Sequence, residues 1–228
     1  MLSTYLILLP LIASAFALLA KEKAKMVALV LSLIQLALTF YLVSQFQPEA
    51  GMQFVENCPW IPSLGISYKV GVDGISILML LLTNIAIPLI LLSSYTNKIE
   101  RQASFYALIL FMQAALVGVF VSLDGFLYYI FWELALIPIF FILLGWGGPN
   151  KQAVTIKFFI YTLAGSLLML VGFILLYVNS TTASFDIENL SQTVLDSSTQ
   201  SLIFFLLFAA FAIKMPIFPL HSWQPATY

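Results

Sequence analysis

Apolar residues run along this chain in seven long stretches, at residues 2–20, 26–46, 75–95, 104–123, 125–145, 153–178 and 201–220. About 20 apolar residues in a helix cross roughly 30 Å of hydrocarbon. A helix also satisfies every backbone N–H and C=O within its own segment, which lipid demands. The runs are continuous rather than alternating in short pieces, so a transmembrane β-barrel is excluded. The pattern therefore predicts an all-α polytopic bundle of about seven spans. Lys21, Lys23 and Lys25 follow the first stretch instead of preceding it, so it reads as a retained span and not as a signal peptide. Between the second and third stretches, Ile66, Tyr68, Val70 and Val72 alternate with Ser67, Lys69, Gly71 and Asp73. That period of two predicts a strand, in a small hairpin turning near Asn57-Cys58-Pro59. The polar loop at 179–200 is expected to cap the bundle.

The loops alternate in charge. Those holding Lys21 to Lys25, Lys98 with Arg101, and Lys151 face one side of the membrane. Those holding Glu49 and Glu56, Asp124, and Asp186, Glu188 and Asp196 face the other, with Lys69 as their basic residue. By the positive-inside bias the amino terminus is expected outside. Composition agrees with a membrane protein: of 228 residues 62% are apolar and 8% charged, against roughly 25% charged in soluble domains, and the mean hydropathy is +1.04. A disordered chain, a basic nucleic-acid binder and an ordinary cytosolic enzyme are thereby excluded. Cys58 is the one cysteine and His221 the one histidine. The chain thus has no intrachain disulfide, no Cys-x-x-Cys and no bis-histidine haem of its own, and no glycine-rich phosphate loop occurs. No cofactor and no metal are expected on this chain.

Three ionisable residues fall at membrane depth. Glu133 lies near the middle of the fifth span, Lys214 within the seventh, and Lys157 about one turn into the sixth. A charge at the bilayer centre costs at least about 2.5–3.5 kcal/mol, so such groups pair, face internal water, or mark an ion pathway. Each has a plainer reading. Lys157 can snorkel to the nearer surface, and Glu133 and Lys214 can serve as packing partners. An acid and an amine together favour proton transfer, because burial pushes both toward neutrality and each restores the other's charge.

The backbone points to the same places. Pro138 removes the helical bond to the Leu134 carbonyl, beside Glu133, and Pro216 and Pro219 remove those to Ala212 and Met215, around Lys214. Broken helices carrying charge at the break build midplane sites in transporters, whereas Pro10 and Pro88 read as kinks. On the sixth span Lys157, Tyr161 and Gly165 share a face with Ser166 beside them, a stripe that also suits close helix packing. Tyr129 lies one turn before Glu133 and is a candidate donor to it. His221, just past the Pro219 break, suits a proton relay by its ordinary pKa near 6.5.

Four ordered segments carry a family resemblance: Gly71-Val72-Asp73-Gly74-Ile75-Ser76; Phe131-Trp132-Glu133-Leu134 through Pro138 to Gly145-Trp146-Gly147-Gly148; Lys157-Phe158-Phe159-Ile160-Tyr161-Thr162; and Lys214-Met215-Pro216 with Pro219-Leu220-His221-Ser222-Trp223. Together they resemble the chain M (chain 4) type of antiporter-like membrane subunit in proton-pumping NADH:quinone oxidoreductase, respiratory complex I. The resemblance implies a cofactor-free proton-translocating subunit that partners other membrane-arm subunits of the complex, with NADH, FMN, iron–sulfur clusters and quinone bound by partner subunits. It implies that Glu133 and Lys214 form the essential pair, that His221 lies on the proton path, and that the chain sits in a prokaryotic cell membrane. It also implies a division into helices 1–3 with the hairpin, residues 1–103, and an incomplete first antiporter-like repeat, residues 104–228. The family has about fourteen helices in two inverted repeats, so this chain is expected to be part of a longer one. Ala226 stands where the family usually carries an acid. Two other readings share features with this one: a multisubunit cation/proton antiporter, and a seven-helix retinal protein with its Schiff base at Lys214.

Overall fold

The computed structural model describes residues 1–227. In chain order its elements are α1 (Leu2–Leu19), α2 (Ala24–Gln45), strands β1 (Gln53–Ile61) and β2 (Ile66–Val72), α3 (Gly74–Ser93), α4 (Gln102–Val121), α5 (Gly125–Leu134), α6 (Leu136–Trp146), α7 (Lys151–Asn179), α8 (Ile187–Ser191), α9 (Ser197–Lys214) and α10 (Gln224–Thr227). Among the described residues seven segments are long and apolar enough to cross a membrane, with α5 and α6 together making the fifth. Large apolar side chains such as Leu82, Phe204 and Phe205 face outward, as lipid-facing positions do. The chain is an integral membrane protein.

The helix starts explain part of the charge alternation. Asp73, Asp124 and Asp196 cap α3, α5 and α9, their carboxylates accepting backbone N–H groups of the first turn. Aspartate suits that position because the first turn leaves N–H groups unpaired. The spans that start after Lys23, Arg101 and Asn150 have no side-chain cap. The acids thus collect where the third, fifth and seventh spans begin, for a local reason as well as a topological one.

Two compact units emerge. One comprises Met1–Asn57 and Val70–Ser122, the other Cys58–Lys69 and Leu123–Tyr228. The division suggested after residue 103 therefore differs from the observed grouping, since α4 packs with α1, α2 and α3. Small residues allow it: Ala13, Ala17, Ala24, Ala28, Ala114 and Ala115 are all buried, and in lipid close van der Waals packing is a main source of helix association.

Two local expectations change, the hairpin turn and the end of the seventh helix, and the expected break in the fifth span is present. The hairpin turn lies at Pro62–Leu64 and Gly65, while Asn57, Cys58 and Pro59 belong to β1. Pro59 is tolerated because the sheet has two strands and both are edges. Gly65 can turn the chain because its φ is +62°, and a Cβ there would sit 2.0 Å from the Ala183 carbonyl oxygen. The fifth span is interrupted at Ala135, as the missing N–H of Pro138 anticipates. The seventh helix ends at Lys214, earlier than the apolar run, because Pro216 and Pro219 forbid its continuation. Pro10 and Pro88 lie inside unbroken helices.

Candidate functional site

The two helix breaks of the second unit carry the two membrane-depth charges. Glu133 is half-buried, one residue before the end of α5, and its Oε1 atom is buried with no hydrogen-bond partner. Lys214 is the last residue of α9 and is also half-buried. The two interact electrostatically, yet among the described residues they form no direct ion pair. Lys214 instead places its Nζ over the ring of Trp132, 5.3 Å from the centroid. A cation over an indole face is stabilised by the ring's quadrupole. Trp132 is fixed in turn by an edge-on contact with Phe211 on α9 and a tilted one with Tyr128. The acid therefore has an empty acceptor and the amine rests on the neighbouring aromatic. Trp132 was not among the residues that charge and spacing single out, because an aromatic in an apolar span carries no distinguishing signal.

Tyr129 does not bond Glu133 among the described residues. It stands within reach of the Ser166 hydroxyl and feels the Glu133 charge. The freed carbonyls near Lys214 are not left open. Ala212 C=O accepts from the Ile217 N–H at 2.9 Å, and Ile213 C=O accepts from the Trp223 indole N–H at 2.9 Å. Met215 lies past the helix end, so Pro219 breaks no helical bond there. Trp223 then buries itself against Leu136 and Phe158, with its ring 5.3 Å from that of Phe158. This contact folds the segment after the break back onto α6 and α7.

Lys157 is exposed and donates to the Ser222 carbonyl at 2.7 Å. The Ser222 hydroxyl donates to Tyr161 at 2.9 Å. The sixth-span stripe thus fastens the segment after the α9 break, next to His221. Gly165 of the same stripe packs against Ile213, where a Cβ would lie 3.2 Å from its side chain; the small-residue packing reading is the one observed for it. His221 is half-buried, and its Nδ1 is buried without a partner. Ala226 lines a cavity of about 320 Å³ with Gly147, Gly148, Asn150, Lys151 and Thr155, and the buried Thr155 hydroxyl has no partner either. Among the described residues no group of three metal-ligating side chains occurs.

A second set of polar groups, also outside the charge-based expectation, lies in the first unit. Gln113 donates to Asn84 at 2.7 Å, Asn84 to the Thr39 hydroxyl at 2.8 Å, and Thr39 to the Gln35 carbonyl at 2.9 Å. Gln35 donates to the Leu6 carbonyl at 2.9 Å. All four residues have no exposed surface, and this neutral ladder joins α1, α2, α3 and α4.

Known proteins resemble the chain along its length. Residues 122–228 match the family model described as "NADH:quinone oxidoreductase/Mrp antiporter, TM", and residues 50–119 that of "NADH-ubiquinone oxidoreductase chain 4, amino terminus". The junction of the two models falls where the second unit begins its helical part. The F(420)H(2) dehydrogenase subunit M of Methanosarcina mazei is 42% identical over 99% of this chain and 48% of its own length. The NADH-quinone oxidoreductase subunit M of Rhodobacter capsulatus is 40% identical over 90% of this chain and 42% of its own. A chain of respiratory complex I from Thermus thermophilus, solved with bound NADH, superposes with a TM-score of 0.90 at 29% identity, covering 100% of this chain and 46% of that one. The chain spans less than half the length of each. With two family models in order, relatives of this identity, and a fold shared from end to end, the chain belongs to the family of antiporter-like membrane subunits typified by NADH:quinone oxidoreductase subunit M.

Proposed function

We propose that the chain belongs to a proton-translocating membrane-arm subunit of a redox-driven quinone oxidoreductase, and that protons move through Glu133 and Lys214. The carrying observation is the buried, unpartnered Oε1 of Glu133, within electrostatic reach of an ammonium that rests on Trp132 at a helix break. When Lys214 swings from the indole toward Glu133, it stabilises the carboxylate and releases its proton. When it returns, the isolated acid in its poorly solvated site takes up a proton again. Two helix ends meet the requirement for such motion, since neither Lys214 nor Glu133 lies inside an uninterrupted helix. His221, with an orphan ring nitrogen, receives or passes the proton beyond the break. The chain supplies proton chemistry alone. NADH, FMN, iron–sulfur clusters and quinone belong to partner subunits in this reading.

The donor oxidised by such an assembly is set by its other subunits. One relative is named for F(420)H(2) and another for NADH, and the proton chemistry of Glu133 and Lys214 is the same with either. Glu133→Gln in the full-length protein within its assembled complex tests the proposal. Loss of proton pumping per electron, with the complex still assembled, is expected; unchanged pumping refutes the role of Glu133. The family model also names the Mrp antiporter, which gives a second reading as a subunit of a multisubunit cation/proton antiporter. Sodium/proton exchange by purified complex without any electron donor favours that reading, and donor-dependent quinone reduction in the same preparation favours the first.

A further inference from the structure

The break after α9 shifts the backbone hydrogen bonds by one residue, and a side chain closes the gap. Pro216 has no N–H for the Ala212 carbonyl. The Ile217 N–H serves Ala212 instead, at 2.9 Å, whereas an unbroken helix would aim it at Ile213. The Ile213 carbonyl thereby loses its helical donor, and the indole N–H of Trp223 bonds it at 2.9 Å. Both residues are buried, so water does not stand in for that bond. The indole is itself held in place. Its ring packs against Phe158 of α7 and Leu136 of α6, Lys157 donates to the Ser222 carbonyl, and the Thr227 hydroxyl donates to that of Trp223, each at 2.7 Å.

The Ile213 C=O and the Lys214 N–H belong to one planar peptide unit. We infer, on the proton exchange between Lys214 and Glu133 proposed above, that Trp223 is a positioning residue for Lys214. By holding that peptide unit, its indole N–H sets where the ammonium rests and confines the swing to the side chain. At the far end the ammonium lies over Trp132, and Glu133 is the next residue along α5. The two stations of the swing are therefore neighbours, and a small shift of the Lys214 backbone changes which one the ammonium favours. Proton transfer between placed groups is sensitive on that scale, since a misplacement of about 1 Å can cost about a hundredfold in rate. The plainer alternative is that Trp223 is a packing group whose N–H merely finds a partner. That role needs the bulk of the ring against Leu136 and Phe158 and is indifferent to its donor.

The test uses the full-length protein in its assembled complex in proteoliposomes, with the rate of donor-driven proton pumping per assembled complex as the readout. Nonsense suppression replaces Trp223 by β-(3-benzothienyl)alanine, which keeps the shape of the ring and puts sulfur in place of the N–H. Pumping is expected to fall roughly tenfold, within the range that a small misplacement costs, and tryptophan restored by the same suppression is expected to return it. Phe158→Leu, which loosens the packing of the indole and keeps its donor, is expected to lower the unfolding midpoint and leave pumping intact. Full pumping by the analogue overturns the proposal. So does an equal loss in Phe158→Leu, which makes Trp223 a packing group. Trp223→Phe repeats the test where the analogue does not assemble. Glu133→Gln measured alongside separates the two levels: wild-type pumping there refutes the proton exchange itself, whereas loss there with full pumping by the analogue refutes only the part given to Trp223.

Discussion

The two units solve the burial of polar groups in opposite ways. In the first, Gln113, Asn84, Thr39 and Gln35 are fully buried, neutral, and linked donor to acceptor across four helices. The helices that carry them run without a break, even through Pro10 and Pro88. In the second, Glu133 and Lys214 are ionisable and half-buried, they are not paired directly, and each lies at a helix end. A neutral ladder with its donors satisfied holds one arrangement. An acid with an empty acceptor beside an amine resting on an indole has two arrangements within reach. Unpartnered acceptors occur in both units, at Gln35 and Gln113 as well as at Glu133, so what distinguishes the proposed proton site is charge at a broken backbone, while uncharged amides serve where helices run unbroken.

Substitutions can break this comparison, and the largest effect is expected from Lys214→Met or Glu133→Gln. Each is expected to cut proton transfer roughly a hundredfold or more, the scale of a lost acid–base group, in pumping assays on the assembled complex. Asn84→Leu is expected to leave pumping per assembled complex intact, and loss of pumping there would erase the distinction between the units. Gly65→Ala comes next. A φ of +62° and a backbone oxygen 2.0 Å from the added Cβ predict destabilisation on the order of 3 kcal/mol, read as faster proteolysis of the hairpin tip and the 179–197 loop. Asn84→Leu itself leaves the Gln113 amide without its acceptor and takes away the donor to the Thr39 hydroxyl, which keeps its bond to the Gln35 carbonyl, and is expected to cost about 1–3 kcal/mol of stability. Its effect combined with Gln113→Leu should be smaller than the sum, because the second change removes a group already orphaned. Trp132→Leu removes the resting place of Lys214, and a double-mutant cycle with Lys214→Met is expected to show coupling of about 1–2 kcal/mol in thermal unfolding.

The smallest effect is a difference in pH response outside the spans. Burial pushes the Glu56 carboxyl up, but hydrogen bonds from the Thr4 hydroxyl and backbone and the charge of the amino terminus outweigh it, leaving the pKa lowered. Its stabilising contribution is therefore present above the usual glutamate value and lost as pH falls through the lowered one. Asp124 has no exposed surface. Burial raises its pKa despite bonds from the Ser67, Leu127 and Phe126 N–H groups, and Asp186 adds to the rise. Its folded form binds the proton more tightly than the unfolded form, so ionising it costs stability as pH rises from the usual aspartate value through the raised one. Mild acid is accordingly expected to speed amide exchange near Thr4 before it does so near Phe126 and Leu127, and exchange measured by mass spectrometry across that range checks the order.

Much of this was legible from residue order. The seven spans followed from run length, because lipid leaves a chain little choice but helix. Glu133 and Lys214 stood out because a charge in an apolar run is costly enough to be rare, and the interruptions beside them followed from proline's missing N–H. The hairpin turn was misplaced to Asn57–Pro59 because Asn and Pro are common turn residues, whereas Gly65 was the position that could adopt the left-handed conformation. Asn84 and Gln113 gave no warning, and Trp132 and Trp223 figured only as members of the segments that carry the resemblance, since aromatics and amides recur in spans without consequence.

The order of residues by itself determined how many times the chain crosses, where its helices stop and which groups can hold a proton, since these depend on local hydropathy and local backbone chemistry. Only the tertiary structure decided that α4 joins the first unit, that Lys214 rests on Trp132, and that the Trp223 indole takes up the carbonyl freed at Ile213. Those contacts join residues distant in the chain, and no period or composition encodes which of many equally apolar faces will meet.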